Sequence, residues 1–412
     1  MAFKKIVAFS VVILSAAFVA SRIVSAFRSD AFVDFRAYYD TTWALFRGEN
    51  PFLLSNLRVW NWAEPPIVYP GAAVIFAPFL AFGIETAKYV FLILNLSAGV
   101  ILFTVVFRKF GLIELKTRKL DMLETTDMMV LLSLFLFIAS APFMACLRHG
   151  QIGAIASLLV CLCIFGNGRT ADTMALGFSA IMKYSLITVF APALFIRKNF
   201  LVSIAGLIIF LLAGLSPLIF GCDIAAVYKS YLSELQKQTT TGFNTYSFSG
   251  YNMLHADFLK SRILCTAIKL FVLIAAFAVI IRSRNRNWRL MELVLLSSAT
   301  MLISYHRLYD LVLLLPFMLA AANDYWRKHD HSKAGALFLF SFALLIPENI
   351  VYRIAGAIGS SIGENAVFYL SPLGEFKQVL PLYPVLILII FMYSLIVNCM
   401  GNRDGDSCTN AP

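Results

Sequence analysis

Long apolar segments recur from one end of this chain to the other, and no other feature restricts its fold as tightly. Runs of about 14 to 23 nearly uncharged residues alternate with short polar connections, and roughly 20 such residues span the hydrocarbon of a bilayer. Composition agrees: 60% of the 412 residues are hydrophobic and 14% are charged, against roughly 25% charged in soluble domains. The expected fold is an all-α polytopic membrane protein, a single multispanning domain over 1–412.

The charge pattern orients it. A net charge of +11 could suggest nucleic acid as a partner, but the basic residues fall in short clusters between apolar runs, the positive-inside pattern of a membrane protein. The partner read from the charge is the lipid bilayer, with no nucleic acid. The basic clusters are Lys4-Lys5, 108–127, "GNGR" at 166–169, "IRKN" at 196–199, 282–289 and 323–333. Placing all of them in the cytoplasm requires two crossings between neighbours. Apolar runs at 5–27, 86–107, 128–146, 152–167, 171–183, 184–197, 200–221, 262–282, 289–304, 308–322, 334–352 and 379–399 supply them. About twelve transmembrane helices follow, in the inner or plasma membrane, with both termini cytoplasmic. "YPGAAVIFAPFLAFG" at 69–83 is left over as a re-entrant or interfacial segment, because counting it as a span would put the basic 108–127 loop outside.

Two local readings complete the outline. Val24-Ser25-Ala26 loosely resembles a signal-peptide cleavage site, but the run before it is long and Arg22 interrupts it, so an uncleaved first helix is expected. The seven cysteines are scattered, and "CLC" has the wrong spacing for a redox or zinc pair, so neither a disulfide framework nor structural zinc is expected.

This topology gathers the chemistry-bearing residues on the outer face. The first outer loop, 28–85, opens with "VDFRAYYDTTWALFRGENPF". Asp34 there reads as the N-cap or first-turn acid of an interfacial helix that Gly48 and Pro51 terminate. Phe35, Tyr39, Thr42 and Phe46 share one face, and Asp34, Tyr38, Thr41 and Leu45 share the next. A helix-capping acid beside membrane-anchoring rings accounts for this pattern, and so does a sugar site. In the second reading Tyr38 and Tyr39 stack on a sugar while Asp34 accepts the proton of a hydroxyl nucleophile. Asp40 is a secondary candidate, with Arg36 one turn away to pair with it, and Tyr69 is another.

The cations lie elsewhere on the same side. Arg148, His149 and Gln151 form a tight outer turn, His306 and Arg307 stand at an outer helix end, and Lys183 is an isolated cation in "FSAIMKYSLITVF". Charges inside a membrane are expensive and mark functional sites. Interfacial anchoring and snorkelling are the plainer explanations. One carboxylate facing several cations suits glycosyl transfer from a lipid phosphate. No glycine loop for a nucleotide is present, since "GNGR" lacks the strand–turn–helix context. The pattern needs no cofactor; a divalent metal is compatible with it but not required. The second long loop, 222–261, is rich in Tyr, Asn, Gln and Thr suited to sugar hydroxyls.

The chain resembles glycosyltransferase family 87, multispanning enzymes of the GT-C superfamily that include polyprenol-phosphate-mannose-dependent mannosyltransferases. The resemblance runs from about residue 30 to 325 and is carried by "DFRAYYDTTWALFRGENPF", "VYPGAAVIFAPFLAFG", "RHGQIGAIASLLVCLCIF", "ALGFSAIMKYSLITVFAPALFIRKNF" and "SYHRLYDLVLLLP". It implies a GT-C-like bundle with interfacial helices in the first outer loop. It also implies an extracytoplasmic site, a polyprenyl-phosphate-linked sugar donor, a glycan or glycolipid acceptor, and transfer with inversion. The family's first-loop aspartate, the general base, maps onto Asp34; its aromatic pair maps onto Tyr38 and Tyr39, and its lysine onto Lys183. Three departures stand out: Tyr69-Pro70-Gly71 where the family often has "YPP", Tyr184-Ser185 where a proline often follows the lysine, and a segment at 304–310 that matches only in part. Two other functions fit the residues less fully. A flippase or transporter of polyprenyl-linked glycans would use the cations to bind phosphate. An O-antigen polymerase or ligase would place its key residues in the 222–261 loop.

Overall fold

A computed structural model describes residues 2–27, 32–60, 65–113, 125–166, 168–197, 200–240, 262–284, 287–303, 308–344 and 382–400. Among these residues every regular element is helical. Helix α1 (Ala2–Phe27) leads into the loop that carries α2 (Val33–Phe46) and α3 (Ala73–Phe76). Then come α4 (Ile84–Lys109), α5 (Thr125–Ala139), α6 (Ala141–His149), α7 (Gly153–Phe165), α8 (Arg169–Ile187) and α9 (Phe190–Arg197). They are followed by α10 (Phe200–Gly214), α11 (Ser216–Ile219), α12 (Ile224–Thr240), α13 (Arg262–Arg282), α14 (Leu290–Ile303), α15 (Leu314–Arg327), α16 (His331–Ala343) and α17 (Leu382–Met400). Of the expected site residues, His306 and Arg307 lie outside the described residues, as does 241–261 of the second long loop.

The apolar helices are those of a membrane protein. Among the described residues one helix, α4, is long and apolar enough by itself to cross a bilayer; its most apolar stretch has a mean hydropathy of 2.5. At 26 residues it extends roughly 39 Å. Two bent pairs, α5–α6 and α8–α9, also qualify if each pair is one span. Shorter apolar helices make up the rest of the bundle, α7, α10 and α14 among them. The centre is occupied by α14, buried from Leu290 to Leu302, and α15, buried from Leu314 to Asn323. Both carry polar side chains within their buried stretch, Glu292 and Ser297 on α14 and Asn323 on α15, which favours protein rather than lipid on every side. Accordingly α15 packs against α4, α5, α14 and α16, and α14 also packs against α13 and α17.

Two interruptions shape the site. The α5–α6 pair bends by 44°, where Pro142 follows Ser140 and the serine hydroxyl accepts the Phe143 N–H at 3.2 Å. Helix α8 leaves helical geometry at Lys183 (φ −155°, ψ 81°), and α8 and α9 then diverge by 113°. Broken backbone deep in a membrane protein survives where protein surrounds it.

In the first long loop, α2 packs on α3, on the 3-10 turn at Ala77–Ala81 and on the turn at Pro70–Ala72. The last of these presses on α10: a Cβ on Gly71 would lie 2.9 Å from the Ala213 carbonyl carbon. Only glycine fits that approach, which accounts for the departure from "YPP".

Candidate active site

Helix α2 is placed by its N-terminal end. The Phe32 N–H donates to the Arg148 carbonyl at 3.1 Å, and Gly150, at φ +65°, closes α6 in the left-handed conformation. A Cβ on Gly150 would approach Phe35 Cβ to 2.6 Å, so a side chain there would separate α2 from the α6–α7 turn. The contact continues through Tyr38, whose hydroxyl donates to Gln151 Oε1 at 2.9 Å. Gln151 itself is buried, and its carbonyl accepts the Cys146 thiol at 3.1 Å.

Asp34 is half-buried in the first turn of α2, where the positive end of the helix dipole favours a carboxylate. It shares its face with Tyr38 four residues on, the face that meets Gln151. Arg148 reaches back to Ser25 Oγ at 3.1 Å, and His149 beside it is exposed.

Lys183 enters the same region from the break in α8. Its ammonium pairs with Asp310, whose side chain is 1% exposed while that of Lys183 is 16% exposed. Asp310 belongs to a 3-10 turn, Leu308–Val312, that packs on α6 and α7, and Cys146 lies within the electrostatic reach of both partners. Asp34, Tyr38, Arg148, His149, Gln151 and Lys183 are thus drawn around the α6–α7 turn. In the sequence Asp310 groups with His306 and Arg307 at an outer helix end but carries no assigned role; its pairing with Lys183 is what the structure adds.

Three expected residues have other work. Asp40 is fully buried, and its Oδ2 accepts the backbone N–H groups of Arg58, Val59 and Trp60 at 3.2, 2.7 and 2.6 Å. The charge facing it is Arg58 rather than Arg36. Burial raises its pKa, against the pull of these three N–H groups and Arg58. Tyr39 is 4% exposed, with its hydroxyl on the Phe82 carbonyl at 3.1 Å. Tyr69 stacks on Phe210 with ring centres 4.6 Å apart and donates to the Phe210 carbonyl at 3.0 Å. Burial raises the pKa of Tyr69 and of its neighbour Tyr228, so both hydroxyls stay protonated donors. The α2 rings therefore pack into protein rather than lipid: Phe35 stacks on Phe91 at 4.8 Å and Tyr38 on Phe76 at 4.6 Å.

Beyond Lys183 lies a groove of about 590 Å³ between α8, α9, α10 and α13. Its walls include Tyr184, Ile187, Ala191, Leu207, Phe210 and Phe277, with Ser203 among few polar groups. Several wall residues face outward from the bundle, Leu207 at 55% and Phe195 at 52% exposure among them. The groove is apolar and open sideways, and its wall includes Tyr184, the residue that follows the half-buried Lys183 in the chain.

The model of glycosyltransferase family 87 matches residues 68–304. The chain belongs to glycosyltransferase family 87. It is accordingly a membrane glycosyltransferase, acting on a sugar donor and an acceptor. The family match takes in Tyr69, the Arg148–Gln151 turn and Lys183, while Asp34 and Tyr38 precede it and Asp310 follows it. No curated protein matches the chain, and no solved structure does.

Proposed function

We propose that the chain moves a sugar (mannose, or another hexose or pentose) from a polyprenyl-phosphate donor to an acceptor hydroxyl, on a glycan or glycolipid at the extracytoplasmic face, with inversion. About twelve crossings, with cytoplasmic termini, would set the 28–85 loop with its interfacial helix and re-entrant segment, and the 222–261 loop, on that face. The observation that carries the donor class is the apolar, laterally open groove whose wall includes Tyr184, the residue after the half-buried Lys183. A lipid-linked phosphate needs both an apolar channel for its chain and a cation for its head; a nucleotide sugar also needs positive charge for its diphosphate but has no use for the apolar channel.

In the reaction the acceptor oxygen attacks the anomeric carbon on the side opposite the phosphate. Asp34 takes the hydroxyl proton, the new C–O bond forms, and the electron pair of the breaking bond goes to the phosphate oxygen. The leaving group needs cations rather than an acid. Lys183, held in place by Asp310, supplies one, and Arg148, His306 and Arg307 are the further cations assigned to the phosphate. Tyr38 and Gln151 form the polar wall against which the sugar is oriented.

The groove gives the test. Ala191 is a small residue in its wall, so Ala191→Phe fills it. With a long-chain polyprenyl-phosphate-mannose donor the variant is expected to raise KM about tenfold or more, the cost of displacing a few buried methylenes. A donor of only a few isoprene units should be affected far less. An equal effect on both chain lengths, or transfer from a nucleotide sugar alone, would overturn this donor assignment.

A further inference from the structure

A second cavity, of about 650 Å³, opens at the opposite end of the central helices. Helix α15 connects the two regions: it starts just after the Asp310 turn and ends at Arg327, next to Lys328 on the cavity wall. Fourteen residues place the two ends roughly 21 Å apart, so this cavity is no part of the sugar site. It is built where α14, α15 and α17 converge, with the start of α16 and the end of α4 at its margin.

Among the described residues the wall carries three cations, Arg289, Lys328 and Lys333, and one carboxylate, Asp324, with a second, Asp330, just outside it. Lys328 is paired with Asp324 at 2.7 Å and Lys333 with Asp330 at 2.7 Å, both lysines being well exposed. Among the described residues another nearby carboxylate, Glu292, is held by Arg197 at 2.9 Å and accepts the Arg289 backbone N–H at 3.1 Å, and Arg289 is itself engaged by further contacts. Two rings, Trp288 and Tyr325, stand beside these charges, and Lys333 lies 5.3 Å from the Tyr325 ring centre. Val397, Leu290 and Met400 continue the wall as apolar surface, with Met400 65% exposed.

A concave site with cations in surplus, interfacial aromatics and an adjoining apolar wall has the chemistry of a phosphate diester joined to acyl chains. We infer that this cavity is a binding site for the headgroup of an anionic phospholipid of the cytoplasmic leaflet. The cations meet the phosphate, Trp288 and Tyr325 lie at headgroup depth, and the apolar strip of α17 lies along the acyl chains. A free phosphate would use the cations but gain nothing from the strip. The side assigned to the cavity rests on the cytoplasmic placement of the basic loops; binding by the purified protein does not.

The test uses the purified full chain in a neutral detergent, with its melting temperature followed as phosphatidylglycerol, phosphatidylcholine or inorganic phosphate is added. Phosphatidylglycerol is expected to raise the midpoint by roughly 2–4 °C at saturation, and the other two by much less. The double variant Arg289→Gln/Lys328→Gln should lose most of that rise. Arg169→Gln/Arg282→Gln removes the same charge from exposed positions outside the cavity and should keep it. Native mass spectrometry of co-purified phosphatidylglycerol reads the same comparison if a variant is too unstable to melt cleanly: the cavity variant should lose bound lipid and the control should retain it. Equal loss in both variants would make the effect general surface electrostatics, and an equal rise with inorganic phosphate would make the site one for a free ion. Either result overturns the inference, and neither bears on sugar transfer.

Discussion

At the level of single residues, the two acids of α2 have opposite fates that sequence spacing only half separates. Asp34 remains half-buried in the first turn, while Asp40, six residues on, holds down the Arg58–Trp60 turn. The clamp was not legible because its partners are backbone N–H groups eighteen to twenty positions away, which leave no mark on side-chain pattern. Arg36, the partner that helical spacing offered, is displaced by Arg58. An acid whose folded pKa is raised binds more protons in the native state than in the unfolded chain between the two pKa values. The native state therefore gains stability as pH falls through that window, which starts just above the ordinary carboxyl value of about 4. Asp40→Asn keeps an acceptor for the three N–H groups and cannot titrate. It should stay within about 1 kcal/mol of the parent at neutral pH and lack this part of the acid-side stabilisation. Asp40→Ala strands the three donors and should cost about 2–4 kcal/mol. Melting curves of parent and variants from pH 4 to 7 measure the difference; identical pH profiles for parent and Asp40→Asn would refute the assignment.

Among the elements, the break in α8 and the short α9 depend on a buried charge cluster at the end away from Lys183. Arg197, at the end of α9, pairs with Glu292 of α14 at 2.9 Å, bonds Ser283 after α13, and lies over the Trp288 ring at 4.1 Å. Both side chains are nearly solvent-free, at 2% and 1% exposure. This joins three helices and adds to the packing of α8 on α7 and α10 and of α9 on α10 and α13. Removing one partner leaves the other charge buried, so Glu292→Gln should destabilise the protein by about 3–5 kcal/mol. Replacing both partners, as Arg197→Met/Glu292→Leu, should recover much of that loss, because the desolvation of both charges is also relieved. Chemical denaturation in detergent measures both; a double variant as unstable as the single would contradict the pairing. At this scale the sequence was informative about the break at Lys183, an isolated cation in an apolar run, although the bend at Pro142 fell inside the run at 128–146 that reads as one span. It was silent about which ends meet, because Arg197 and Glu292 are 95 residues apart.

For the whole molecule, apolar patterning pointed to a helical membrane protein, and the structure sets one polar cluster at the Asp310 end of α15 and one cationic cavity at the other. The aromatic face of α2 was harder to read. Tyr and Phe at helical spacing suit both a lipid interface and a protein core, and only the contacts with Phe76 and Phe91 decide for the core. The account as a whole stands on Asp34 as the base that activates an acceptor hydroxyl. The direct measurement is transfer of labelled sugar from polyprenyl-phosphate-mannose by membranes carrying the parent chain or Asp34→Asn, at matched protein levels. The account predicts a loss of about 10²–10⁴-fold in kcat, with donor KM little changed, for a proton acceptor replaced by an isosteric amide. Transfer by Asp34→Asn at the parent rate would contradict it.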